Sequence, residues 1–213
     1  TCDSVAAHTR FTLQLLKDNG IDVKWVQVGN ETTHGFLWPM GRFEENPENY
    51  ATLTKAGIRA VREVYPDAKV IIHLDNGFDK GLYDRVFDSL KSNGVEWDII
   101  GMSVYPYWAM EAGHEQSDIM TLVDTIENIR HLKKKYGTNV MIVETGVDGR
   151  NPLPGKEFIA ALIKASRDFT DGACKGVFYW APEWDAEGDY RLGAFSKGRP
   201  TIIMDAFKEA AGK

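Results

Sequence analysis

Short apolar runs alternate with longer amphipathic stretches along this chain. The apolar runs are nearly continuous and rich in β-branched residues, as buried parallel strands are; they cover residues 23–28, 70–74, 99–104, 140–143 and 176–180. The amphipathic stretches predict helices over residues 3–18, 47–65, 81–92, 118–136, 155–168 and 202–211. A glycine closes three of these helices shortly before the next strand, as a C-cap does. The alternation predicts an α/β fold with a parallel sheet.

Two α/β architectures fit this pattern, the doubly wound open sheet and the (β/α)₈ barrel. The glycine-rich phosphate-binding fingerprints of nucleotide folds are missing, which disfavours the open sheet. A closed barrel needs about 250 residues, and only five strands are predicted. We therefore interpret residues 1–213 as a single catalytic barrel domain that is incomplete at its N-terminus and retains the last five βα units. The chain opens at Thr1 without a signal peptide, which indicates a processed protein or a piece of a longer one.

Composition excludes several classes of protein. The chain is 43% hydrophobic and 26% charged, as globular domains are, and its net charge of −6 argues against nucleic-acid binding. No apolar stretch is long enough to span a membrane. Cys2 and Cys174 exclude a disulfide scaffold, although one disulfide stays open. Asp148 and Asn151 could offer oxygens to Ca²⁺, but an acidic turn explains them better, so we predict no metal and no cofactor.

Two glutamates follow apolar strands, at the edge where a parallel α/β fold builds its site. Glu31 and Glu144 each directly follow an apolar strand, the first and the fourth of the predicted strands. Glycoside hydrolysis uses two such carboxyl groups, about 5–5.5 Å apart for retention and about 6.5–9.5 Å apart for inversion. The bland alternative is that each glutamate caps a helix or pairs with a surface lysine. Two strand-end glutamates among aromatic residues favour the catalytic interpretation.

Aromatic and amide side chains cluster at the same predicted strand ends. Indole rings stack on the apolar faces of sugars, whereas amides and carboxylates bind sugar hydroxyls; for single residues the alternatives are packing, a turn or a buried structural histidine. The candidate substrate-binding residues are Asn30, Trp38, His73, Asp75, Tyr105, Trp108, Trp180 and Trp184.

Seven sequence segments together resemble glycoside hydrolase family 53, the endo-β-1,4-galactanases. They are residues 29–31 (Gly-Asn-Glu), 35–41 (Gly-Phe-Leu-Trp-Pro-x-Gly), 73–75 (His-Leu-Asp), 101–108 (Gly-Met-Ser-Val-Tyr-Pro-Tyr-Trp), 143–145 (Val-Glu-Thr), 177–184 (Val-Phe-Tyr-Trp-Ala-Pro-Glu-Trp) and 192–195 (Leu-Gly-Ala-Phe). The Asn-Glu and Glu-Thr pieces mark only the wider clan of retaining barrel glycosidases. The tryptophan-containing segments are more specific.

The resemblance implies a (β/α)₈ barrel that hydrolyses β-1,4-galactan, a side chain of pectin, by double displacement with retention. It implies that Glu31 is the acid/base and Glu144 the nucleophile, and that Asn30 and Trp180 line the central subsite. It also implies a secreted, cell-surface or periplasmic protein. The first three strands of the family are absent, so the activity of this chain alone is open. Two alternatives stay beside it, another β-1,4-polysaccharide as substrate and a sugar-binding remnant without catalysis.

Overall fold

A parallel sheet of five strands organises the chain, in the order β1-β2-β3-β4-β5. The computed structural model describes residues 1–111 and 116–212. The strands are β1 (Trp25–Gln27), β2 (Lys69–Leu74), β3 (Ile99–Val104), β4 (Asn139–Thr145) and β5 (Cys174–Val177). Because sequential strands are neighbours and parallel, each connection returns across the sheet, as the predicted strand–helix alternation requires.

Seven helices accompany the strands in the described part of the chain. They are α1 (Cys2–Asp18), α2 (Pro47–Val64), α3 (Lys80–Ser92), α4 (Pro106–Glu111), α5 (Asp118–Tyr136), α6 (Pro152–Asp168) and α7 (Asp205–Ala210). Two short 3₁₀ turns, Thr32–His34 and Ile202–Met204, and a small antiparallel pair, β6 (Phe195–Ser196) with β7 (Arg199–Pro200), complete the elements. The predicted α/β class is confirmed.

Most element boundaries agree with the sequence prediction, and the differences have local causes. Helix α6 begins three residues earlier than predicted, because Pro152 occupies a first-turn position where its missing N–H costs nothing. Pro106 likewise starts α4, a helix that the sequence analysis missed. The C-terminal helix is split into a 3₁₀ turn and α7.

Strand β5 was predicted over residues 176–180, and that boundary is wrong. The strand ends at Val177, and the pairing register with β4 shifts between Val140 and Ile142. The backbone of Trp180 still donates a 2.9 Å hydrogen bond to the Thr145 carbonyl oxygen. A positive φ of 44° at the next residue, Ala181, then turns the chain away. Trp180 therefore lies beside the end of β4, in the loop rather than in the strand.

The chain divides into two compact units. The first contains Thr1–Asp75 and Gly81–Gly101, and the second contains Asn76–Lys80 and Met102–Lys213. In the first unit α1 packs on α2, whose inner face buries Tyr50 and other apolar side chains. In the second unit α7 packs on α6. A single domain over residues 1–213 stays a prediction.

The structure also describes the features relevant to a membrane span and to a disulfide. None of the helices in the described ranges has the length and apolar character that crossing a membrane demands. Cys2 and Cys174 are both free thiols.

Candidate active site

Glu31 lies four residues after Gln27, the last residue of β1, so it does not follow that strand immediately. It flanks the N-terminal end of the 3₁₀ turn Thr32–His34 and has a φ of 44°, in the left-handed region. A residue with a side chain adopts this conformation at a cost of about 1–3 kcal/mol, so the surroundings must hold it. Its side chain makes no capping hydrogen bond to the turn. The helix-capping alternative for Glu31 is therefore wrong for this turn.

The end of strand β2 holds the Glu31 backbone. The backbone N–H of Glu31 donates to Nδ1 of His73 at 3.4 Å. The hydroxyl of Thr32 donates to the His73 carbonyl oxygen at 3.2 Å, and its oxygen lies 2.8 Å from the Tyr50 hydroxyl. Thr32 and His73 are buried, so these hydrogen bonds form away from competing water.

A second pair of contacts joins the same turn to Asp75, the residue after β2. The Thr33 hydroxyl donates to Oδ1 of Asp75 at 2.7 Å and accepts from the Asp75 backbone N–H at 3.1 Å. Thr33 is fully buried and Asp75 is half-buried. The carboxylate of Asp75, predicted to bind substrate, therefore also anchors the turn that carries Glu31.

His73 is a neutral imidazole at ordinary pH. Burial removes its hydration and lowers its pKa from the usual 6.5 to about 4. Because Nδ1 accepts from Glu31, the single ring proton of the neutral form resides on Nε2. His73 is thus a buried histidine that accepts a hydrogen bond from the segment carrying a catalytic candidate, and its role in substrate binding stays a prediction.

Asn30 and Trp38 flank this segment. Asn30 is exposed, and its Oδ1 accepts from Nε2 of Gln27 at 3.1 Å. Trp38 is 56% exposed. Its Nε1 donates to the His34 carbonyl oxygen at 2.8 Å, and the Arg42 guanidinium lies 4.7 Å from its ring centroid. The indole is thus held by a hydrogen bond at its edge and a cation at its face, which suits a fixed stacking surface.

Glu144 is the penultimate residue of β4, in the second unit. It is half-buried, and its Oε2 accepts a hydrogen bond from the Tyr105 hydroxyl at 3.0 Å. Next to it, the hydroxyl of Thr145 donates to the Val104 carbonyl oxygen at 2.7 Å. A phenol donor on one carboxylate oxygen limits the rotation of that side chain. Tyr105 thus contacts a catalytic candidate, and its role in substrate binding stays a prediction.

The exposed tryptophans of the second unit gather around tyrosines. Trp180 and Trp184 both pack edge-to-face on Tyr190, with ring centroids 5.1 and 6.1 Å away. Trp108 packs in the same way on Tyr107 at 4.7 Å. The three indoles stay 43–48% exposed, so each keeps area for a ligand while its partner fixes its orientation.

Sequence reasoning missed four residues that the structure places beside the candidates. Thr32 and Thr33 hold the Glu31 turn, Tyr190 supports two tryptophans, and the Arg191 guanidinium lies 4.7 Å from the Tyr107 ring centroid. The threonines directly follow Glu31, which was the available signal. The roles of Tyr190 and Arg191 depend on contacts with distant residues and left no local pattern.

The Asp148 turn has the features of an ion-paired loop. Its Oδ2 pairs with the Arg191 guanidinium and accepts from Nδ2 of Asn151 at 3.2 Å, while Oδ1 accepts from the Arg150 backbone N–H at 3.1 Å. Burial opposes ionisation of Asp148, but these donors outweigh it and lower its pKa. Within residues 1–111 and 116–212, no three His, Cys, Asp or Glu side chains come together as metal ligands would.

Comparisons with known proteins agree on one family. The family model described as glycosyl hydrolase family 53 matches residues 2–152. An uncharacterised protein of Niallia circulans is 32% identical, over 85% of this chain and 55% of that protein. A probable arabinogalactan endo-β-1,4-galactanase A of Aspergillus fumigatus is also 32% identical, over 83% of this chain and 53% of that protein. The chain thus spans about half the length of the curated relatives it matches.

A solved structure supports the fold. The family 53 catalytic domain of Ignisphaera aggregans is 26% identical and superposes with a TM-score of 0.83, over 98% of this chain and 65% of that domain. The five parallel strands with alternating helices are therefore part of a (β/α)₈ fold, as predicted. The chain belongs to glycosyl hydrolase family 53.

Proposed function

We propose that this chain carries the catalytic residues of a retaining endo-β-1,4-galactanase. In this proposal Glu31 is the general acid/base and Glu144 is the nucleophile. The observation that carries it is family membership combined with a glutamate at the end of β4 whose carboxylate accepts from the Tyr105 hydroxyl. Relatives named as arabinogalactan endo-β-1,4-galactanases support the substrate.

The proposed reaction has two displacements. The Glu144 carboxylate attacks the anomeric carbon while Glu31 gives its proton to the departing sugar oxygen, so a glycosyl–enzyme ester forms and the glycosidic bond breaks. Glu31, now ionised, then takes a proton from water as that water attacks the anomeric carbon and releases Glu144. The Tyr105 hydroxyl, which donates to Oε2 of Glu144, orients that carboxylate during the first step.

Substrate binding follows from the exposed indoles and the amide. We propose that Trp38, Trp108, Trp180 and Trp184 stack on galactose rings and that Asn30 binds a sugar hydroxyl. Galactan of this linkage occurs in pectin, so the proposal also places the protein outside the cell or at its surface. The role of Asp75 in this scheme is shared between substrate binding and its contact with Thr33.

The decisive experiment is reducing-sugar release from unbranched β-1,4-galactan by this chain and by Glu144→Gln. Glu96→Gln is the matched control, because Glu96 is exposed in the loop after α3. We expect hydrolysis in the unaltered chain and in Glu96→Gln, and its loss in Glu144→Gln. Near-normal hydrolysis by Glu144→Gln would refute the nucleophile assignment.

Two further readouts separate the alternatives. Proton NMR of the first product distinguishes retention, which yields the β-anomer first, from inversion. A panel with mannan and a β-glucan identifies another polymer as the substrate if either is hydrolysed faster than galactan. Binding of galacto-oligosaccharides without any hydrolysis would identify a sugar-binding protein in place of the proposed enzyme.

A further inference from the structure

We propose that Thr33 is a positioning residue for the acid/base carboxylate of Glu31, acting through Asp75. The inference rests on the proposed function, since it assumes that Glu31 delivers the proton. Its own basis is a set of hydrogen bonds within the first unit, all of them at the end of β2.

The first step is that the surroundings hold the Glu31 backbone in a left-handed conformation beside the turn that follows it. The point from which its side chain projects therefore depends on what fixes that turn. A flanking residue with a strained backbone follows any movement of the turn, because its φ is set by the surroundings and not by its own preference.

The second step is that two hydroxyls fix the turn. Thr32 donates to the His73 carbonyl oxygen at 3.2 Å, near the 3.4 Å contact between the Glu31 backbone N–H and His73. Thr33 makes the shorter contact, 2.7 Å to the Asp75 carboxylate, and also accepts from the Asp75 backbone at 3.1 Å. One side chain therefore meets both the main chain and the side chain of Asp75, the residue after β2.

The third step is chemical. A hydrogen bond from the fully buried Thr33 hydroxyl to a carboxylate oxygen is directional, and its loss leaves a buried polar group without that partner. Removing the hydroxyl frees the turn relative to β2 and so displaces Glu31, two residues away. A general acid must lie within hydrogen-bond distance of the oxygen it protonates, and a misplacement of about 1 Å can cost about 100-fold in rate.

This predicts a defect confined to proton delivery. Cleaving galactan needs a proton on a poor leaving group, the sugar hydroxyl. A dinitrophenyl β-galactobioside loses an acidic phenol, which departs without protonation. A misplaced acid therefore slows the cleavage of galactan but not the glycosylation step with the aryl glycoside. A general loss of folding slows both reactions equally.

The experiment compares kcat and KM on both substrates for Thr33→Val, Thr33→Ser and the unaltered chain. Valine has nearly the shape of threonine without the hydroxyl, and serine keeps the hydroxyl. Thr52→Val is the matched control, because the exposed Thr52 hydroxyl bonds only to the Glu48 carbonyl oxygen of its own helix among the hydrogen bonds of the described chain. For Thr33→Val we expect kcat/KM on galactan to fall about 10- to 100-fold, whereas kcat/KM on the aryl glycoside, which reports the glycosylation step alone, should change less than about threefold.

Serine is expected to restore the galactan rate to within about threefold, and Thr52→Val to leave both rates unchanged. The rate on galactan divided by the rate on the aryl glycoside does not depend on the folded fraction of the protein. The test therefore remains valid for a variant that is partly unfolded. If Thr33→Val fails to fold, Thr33→Ala replaces it, because alanine removes the hydroxyl without adding volume.

Several results would overturn the inference. An equal fall on both substrates assigns Thr33 a structural role only, and unchanged rates show that the contact with Asp75 does not matter. Glu31→Ala separates this inference from the proposed function: it should show the same selectivity more strongly. If Glu31→Ala does not show this selectivity, the acid/base assignment itself is wrong. If the unaltered chain cleaves neither substrate, both the proposed function and the inference about Thr33 are refuted for this chain.

Discussion

The buried imidazole of His73 makes a quantitative prediction about stability against pH. His73 lies at 0% exposure in β2, and loss of hydration lowers its pKa to about 4 in the folded chain. In the unfolded chain the ring returns to the ordinary value near 6.5. Between these two values the unfolded state binds a proton that the folded state refuses, so acidification favours unfolding.

The magnitude follows from the two pKa values. Above pH 7 both states are neutral at His73 and the histidine costs almost nothing. At pH 5 the unfolded state is stabilised by about 2 kcal/mol, and well below pH 4 the cost levels off at about 3 kcal/mol, since each pKa unit is worth about 1.4 kcal/mol. Stability from this group is thus present above pH 6.5 and lost as the pH falls through 4.

The assay is urea unfolding followed by tryptophan fluorescence at pH 7 and pH 5, for the unaltered chain and for His73→Gln. Carboxylates elsewhere titrate in both proteins, so their effects cancel in the difference between the two. We expect His73→Gln to be the less stable protein at pH 7, because glutamine fills the site imperfectly. That deficit should shrink by about 2 kcal/mol at pH 5.

A direct measurement makes the prediction refutable even if unfolding is not two-state. The imidazole resonances of His73 in the folded chain should stay those of the neutral ring with a proton on Nε2 down to about pH 4. Parallel stability curves for the two proteins, or a His73 that titrates near pH 6.5 while the chain is folded, would contradict the reasoning.

Three more predictions test the candidate site and the loop beside it. Tyr105→Phe removes the hydroxyl that donates to Glu144 at 3.0 Å; a hydrogen bond to a charged group is worth about 1.5–3 kcal/mol, so kcat on galactan should fall about 10- to 100-fold with KM little changed. Trp180→Ala should raise KM for galactan about tenfold, the loss of about 1.4 kcal/mol of stacking, and an unchanged KM would remove this residue from the binding surface. Gly35→Ala places a Cβ 1.9 Å from a backbone oxygen of the loop, whereas Gly94→Ala has a similar positive φ, 69° against 75°, and meets nothing within 4 Å. Gly94→Ala should lose about 1–2 kcal/mol from the positive φ, and the Gly35 variant should melt at least about 5 °C lower, because its Cβ meets backbone and its ψ of −166° lies in a region that essentially only glycine adopts.

The fold class was readable from the sequence because hydrophobic periodicity is a local property. Strand β3 was predicted with its observed bounds, Ile99–Val104, because a short, mostly apolar run lies between Asp98 and Pro106. Boundaries that depend on pairing were less predictable. The end of β5 is set by a register shift against β4, which no property of residues 174–180 reveals.

The sequence by itself also determined which residue types could do the chemistry. Glu31 and Glu144 stand out because both come shortly after apolar runs among aromatic residues and because the surrounding motifs match a known family. Their identities needed no coordinates. The states of these residues did, because a pKa or an orientation depends on neighbours that are distant along the chain.

Only the tertiary structure decided what holds the candidates in place. The Tyr105 hydroxyl reaches Glu144 across 39 residues, and the Thr33 hydroxyl reaches Asp75 across 42. Thr33 and Asp75 meet within the first compact unit, and Tyr105 and Glu144 meet within the second. A strand pattern in the sequence does not specify which side chains will lie within about 3 Å of each other after folding. Local residue types therefore indicated which side chains are candidates for the chemistry. The hydrogen bonds that position those side chains exist only after the sheet and its loops have formed.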